Sequence, residues 1–184
     1  LLQSLATLDT ILTGDSGGGY YSFQSRWGRN QQLGVLDNGS GDQFHAYFNC
    51  HGCFVKGFAH ESSMTPYRVS PPSLWPGLLD GVPAEFDAAL NEPAFDLQAT
   101  TFAIWRLYSD SEWQCGKIRF PDDPYGDGSG DLLVHLDGAP TTYVAWAIDY
   151  YERDIDPAVV EHVDQQLPLT NDVVRRLNPD ASVG

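Results

Sequence analysis

Four aspartates fall within the ten residues Asp122-Asp123-Pro124-Tyr125-Gly126-Asp127-Gly128-Ser129-Gly130-Asp131. Hard cations such as calcium or magnesium are held by several oxygens from a flexible acidic turn, which makes Asp123, Asp127 and Asp131 candidate metal ligands. The run departs from the EF-hand pattern. Counted from Asp123, the third position is Tyr125 and the twelfth is Val134, so two ligand positions fail. Asp and Gly also suit turns for backbone reasons alone, and the same composition serves an ordinary loop.

Three other motifs invite chemistry and fall short of it. Cys50-His51-Gly52-Cys53 has the spacing of a redox pair or half a zinc site. A redox pair needs its first thiol at a helix N-terminus, whereas this one falls in a strand-turn-strand pattern. A zinc site needs two more ligands, and Cys115 has no second cysteine or histidine nearby in sequence. His60-Glu61 opens like a zinc-protease helix, but position 64 is Met where the second His should stand. Gly14-Asp15-Ser16-Gly17-Gly18 resembles the nucleophile segment of chymotrypsin-like proteases, yet in that family the His and Asp precede the Ser, and the 15 residues before Ser16 hold no His to serve as base. No catalytic residue is assigned.

Binding chemistry is better represented. The net charge is −15. Through Pro121 there are 12 acidic and 7 basic residues, and from Asp122 onward 13 acidic and 3 basic. Phosphate would be repelled, so nucleic acid is not an expected partner, whereas a basic protein is electrostatically suited. No stretch reaches the ~18 apolar residues of a membrane helix, so no membrane partner is expected. Three cysteines give no disulfide framework, and a cytoplasmic location is expected. Asp42, His60, Glu61 and Tyr150 are the candidate partner-binding residues. Tyr143, Trp146 and Tyr150 repeat at helical spacing. Such a stripe serves either as a ligand surface or as the inner face of a helix on a sheet.

The elements that carry these residues follow from periodicity and turn chemistry. Leu1, Leu5, Leu8 and Leu12 predict an N-terminal helix that ends at the glycines after Thr13. Strands are expected over 20–23, 31–36, 44–49 and 53–58, with tight turns at Asp37-Asn38-Gly39 and Cys50-His51-Gly52. A Pro-bearing loop and a short helix near Phe86 precede a hairpin of 100–108 with 113–120. A further strand is expected over 132–136. Helices then follow from about 140 to the end, with Asp156-Pro157 and Thr170 at helix starts. The chain reads as α+β, a mainly antiparallel sheet of about five to seven strands with helices concentrated at the C-terminus. One domain over 1–184 is expected, its 140–184 part packed on the sheet.

The tetrapeptide Gly-Ser-Gly-Asp occurs twice, at 39–42 and 128–131. The first copy, with Asn38, the strand through Phe48, Gly52 to Phe58, and His60-Glu61, resembles SMI1/KNR4-like proteins. In that superfamily a Gly-x-Gly-Asp turn enters a strand, a hairpin follows, and Asp-His-Glu closes the unit; Ala59 stands here in place of the Asp. The run from Gly57 to Tyr67 also resembles uncharacterised bacterial proteins. The SMI1/KNR4 resemblance implies binding and not catalysis, as an immunity-like inhibitor or a regulatory adaptor; no cofactor is expected on that reading. The alternative is a metal-dependent enzyme or metal-binding module that uses the Asp122–Asp131 loop with calcium or magnesium.

Overall fold

The computed structural model describes residues 1–14, 18–123 and 126–183. Asp15, Ser16 and Gly17 of the protease-like motif lie outside the described residues, as do Pro124 and Tyr125 of the acidic loop. In chain order the elements are α1 (Leu2–Thr13), β1 (Tyr21–Gly28), β2 (Gln31–Asp37), β3 (Gln43–Phe48) and β4 (Gly52–Phe58). They continue with α2 (Asp87–Leu90), β5 (Phe102–Leu107), β6 (Gln114–Cys115), α3 (Ser129–Leu132), α4 (Pro140–Tyr151), α5 (Pro157–Asp164) and α6 (Asn171–Arg175). This is an α+β chain. It forms two compact units, residues 1–23 with 133–184 and residues 24–132, and the division falls within β1.

The strands make one sheet in sequence order, β1 to β6, and the pairings from β2 to β6 are antiparallel. Asn side chains build its turns. Asn38 Oδ1 accepts from the amides of Ser40 and Asp42, and Asn49 Oδ1 accepts from those of His51 and Gly52. These local bonds fix the register in which Tyr47 faces Leu33 and Phe54, and His45 faces Val35 and Lys56. On that face Leu33, Tyr47, Phe54, Ala103 and Trp105 form a core with Phe86, Ala89 and Phe95 from the long β4–β5 connection. Each fully buried Phe contributes ~1.5–3 kcal/mol relative to exposure.

In the other unit, α5 packs against both α1 and α4. Leu5, Leu8 and Leu12 of α1 are buried, as are Val159, Val160 and Val163 of α5. The expected caps are present: Asp156 accepts from the Ala158 amide, and Thr170 Oγ1 from the Val173 amide.

Two expected strands differ. Residues 132–136 are helical, with α3 ending at Leu132 and a 3-10 turn over Val134–Leu136. Asp127 Oδ1 accepts from the Ser129 amide at the start of α3, and a short apolar run carries no periodicity to separate strand from helix. The strand expected over 113–120 shrinks to Gln114–Cys115. Gly116 turns the chain away: a Cβ there would lie 2.0 Å from the Gly77 carbonyl oxygen, so this backbone packs on another segment.

Candidate functional site

In the unit of residues 24–132, the fold gathers three of the predicted partner-binding residues. His60 lies just past β4 and Asp42 just before β3, and the antiparallel β3–β4 pairing brings them side by side. Asp42 Oδ1 accepts from the His60 amide at 2.7 Å and meets the His60 ring Nδ1 at 2.7 Å. The Asn38 side-chain amide donates to Asp42 Oδ2 at 3.0 Å. Partial burial raises the Asp42 carboxyl, but the His60 and Asn38 hydrogen bonds outweigh it and hold the group below the usual carboxylate range. The same bond and the Asp42 charge raise His60 above the ordinary imidazole value. Glu61 Oε1 lies 3.8 Å from His60 Nε2. The His60 side chain is 47% exposed, so this corner is available to solvent and to a partner.

Both Gly-Ser-Gly-Asp turns abut the same dipeptide. A Cβ on Gly41 would lie 3.9 Å from the His60 ring, and one on Gly128 would lie 2.2 Å from the Ala59 methyl. Thr101 ties the arrangement together. Its hydroxyl donates to the Asp127 carbonyl at 2.7 Å and accepts from the Ala59 amide at 3.1 Å. Ser62 Oγ donates to the Gly126 carbonyl at 2.9 Å.

The candidate metal ligands are less concentrated. Asp127 Oδ1 already accepts from the Ser129 amide and hydroxyl, at 2.9 and 2.7 Å. Asp131 is exposed in the first turn of α3. Among the described residues, Asp123, Asp127 and Asp131 do not form a group placed to hold a metal ion, and no other three His, Cys, Asp or Glu side chains do. Cys50, Cys53 and Cys115 are free thiols, and burial pushes Cys53 up to about 12.

Tyr150, the fourth partner-binding candidate, belongs to the other unit and sits on α4. The helix rolls its aromatic stripe from core to solvent: Tyr143 is buried, Trp146 half-buried and Tyr150 46% exposed. Trp146 and Tyr150 stack at 4.7 Å between centroids and 21° between planes. Tyr20 closes the cluster at 4.7 Å from Trp146 and 5.5 Å from Tyr150.

A polar network lies beneath these rings. Asp9 of α1 is fully buried. Its carboxylate accepts from the Tyr143 hydroxyl at 2.9 Å, the Tyr151 hydroxyl at 2.8 Å and the Tyr21 amide at 2.5 Å. Burial raises the Asp9 carboxyl, and these bonds oppose the rise without cancelling it. The Tyr21 hydroxyl meets buried His135 Nδ1 at 2.7 Å. Burial lowers His135, which keeps the ring neutral near pH 7 and leaves one nitrogen to accept that hydroxyl.

Asp9 was not singled out from the sequence, although a signal exists. It stands four residues after Leu5 and three before Leu12 on a helix, where a lone carboxylate on an apolar face asks for a partner. His135 stands out in the sequence as the His in the middle of an apolar run, but that run reads as a strand and nothing in it points to Tyr21. Comparison with protein-family models, characterised proteins and solved structures finds no match to this chain. Among the described residues no helix is long and apolar enough to cross a membrane.

Proposed function

We propose that the chain is a non-catalytic binding protein, an immunity-like inhibitor or regulatory adaptor whose partner is a basic protein. The observation that carries this reading is the ring cluster of Tyr20, Trp146 and Tyr150, open to solvent at Tyr150 and in contact with buried Tyr143 through Trp146. Rings held this way lose little side-chain entropy on binding, and their faces attract Arg and Lys. Exposed Asp149, Glu152 and Asp154 flank Tyr150 in sequence, and this unit carries 11 acidic residues against 3 basic. Such charge steers a cationic partner towards aromatic anchors. The Asp42, His60 and Glu61 corner offers a second acidic contact. The local resemblance to SMI1/KNR4-like proteins supports the same class.

A titration of isotope-labelled protein with an arginine-rich peptide tests the surface by NMR. The expected result is saturable movement of the Tyr20, Trp146 and Tyr150 resonances that weakens with salt and is lost in Tyr150→Ala. Rings that stay still while the peptide binds elsewhere would overturn the assignment.

A further inference from the structure

The unit of residues 24–132 carries 7 basic residues against 14 acidic ones. Three of the seven line one cleft. A concavity of about 650 Å³ has Arg68, Lys117 and Arg119 on its walls with Trp75 and Gly77, and among the described residues Asp80 is the carboxylate that lines it.

Backbone packing builds this cleft. Gly77 has φ +81°, and a Cβ on it would lie 2.3 Å from the Lys117 carbonyl oxygen. A Cβ on Gly116 would lie 2.0 Å from the Gly77 carbonyl oxygen and 2.6 Å from that of Leu78. Only glycine at both positions lets the two segments come this close. The Trp75 indole N–H then donates to the Arg119 carbonyl at 3.1 Å, fixing where the Arg119 side chain leaves the chain. Arg68 is held over the Trp75 ring, 4.8 Å from its centroid, and donates to the carbonyls of Thr65, Ser73 and Leu74.

Those carbonyls orient Arg68 and leave its charge uncompensated. Among the described residues, the ion pairs within 4.0 Å involve His60 and Arg176, and none involves Arg68, Lys117 or Arg119. Lys117 and Arg119 are both exposed. Three cations around one concave surface repel one another, and a bound anion would relieve that repulsion.

We propose that this cleft binds a small polyvalent anion, with its phosphate or clustered carboxylate groups between Lys117 and Arg119. The Arg119 guanidinium suits a two-oxygen contact, Lys117 supplies a mobile point charge, and Arg68 on Trp75 adds fixed positive potential behind them. Three cations against the Asp80 carboxylate leave the cleft net positive, and that attraction grows with the charge of the ligand, which favours a polyvalent anion over a monovalent one.

The test uses the full chain with inorganic pyrophosphate and citrate as separate probes at constant ionic strength, followed by NMR. The expected result is a saturable shift of the Trp75 indole N–H and the Gly77 and Lys117 amides, with Kd about 1 mM or tighter for at least one probe. Movement with pyrophosphate alone marks a phosphate ligand, and movement with citrate alone a carboxylate ligand. Lys117→Ala/Arg119→Ala removes two exposed side chains and is expected to weaken binding about tenfold or more. The rest of its spectrum reports that the fold is kept. No saturable shift with either probe up to about 10 mM, or equal binding by the double variant, would overturn the proposal.

Discussion

The Ala59 methyl faces Gly128 so closely that a Cβ on the glycine would fall 2.2 Å from it. Gly128 also has φ +80°, so a side chain there meets backbone strain and a collision together. We expect Gly128→Ala to cost about 2–4 kcal/mol by urea denaturation. Gly130→Ala, with nothing within 4 Å of its Cβ, is expected to stay within about 0.5 kcal/mol of the parent. Adding Ala59→Gly to Gly128→Ala should recover part of the loss. Equal effects at the two glycines would contradict the close approach.

Buried Asp9 accepts from Tyr143, Tyr151 and the Tyr21 amide, and so depends on its donors. Tyr143→Phe removes one hydroxyl and keeps the ring, and is expected to cost about 1–3 kcal/mol. Because burial raises the Asp9 carboxyl, the folded state binds its proton more tightly than the unfolded state does. The stability of the parent relative to Asp9→Asn should therefore fall as pH rises from 3.8 through the folded value. Parallel pH profiles would contradict this.

Lys56 is fully buried, donating to the carbonyls of Ala99 at 2.8 Å and Asp96 at 3.4 Å. Burial lowers it to about 8 from an ordinary 10.5. Between those values the unfolded chain holds the proton and the folded chain does not, so folding stability rises with pH across that window. The parent should gain on the order of 3 kcal/mol relative to Lys56→Met from pH 8 to pH 10.5, as read from urea midpoints.

The His60 ring is raised by Asp42. Its NMR titration midpoint should lie above 6.5 in the parent and fall towards it in Asp42→Asn. The pairing is present below the unfolded value and is lost as pH rises through the folded one. An unchanged midpoint in the variant would separate the two residues.

The turns and hairpins were legible in the sequence because their chemistry is local. Asn38 and Asn49 bond their own neighbours, and Asp156 and Thr170 cap their own helices. The meeting of Asp42 with His60 also follows from the hairpin between them. What stayed hidden depends on distant segments. Nothing near Asp9 announces Tyr143, 134 residues on, and nothing near Gly116 announces the Gly77 carbonyl that shortens the sixth strand. The apolar run 132–136 could sit in either kind of element, and the Asp127 bond to Ser129 tips it to helix. The cleft cations were invisible for the same reason, since Arg68 and Lys117 are far apart in sequence.

The proposed function rests on association with a basic protein through the Tyr150 surface. Its most direct test is quantitative capture from a lysate of the source organism, with the parent chain and Tyr150→Ala as parallel baits and elution by a salt gradient. The expected result is a basic protein held by the parent, released at moderate salt and depleted on the variant. Identical captured sets on both baits, or no basic protein above background, would contradict it.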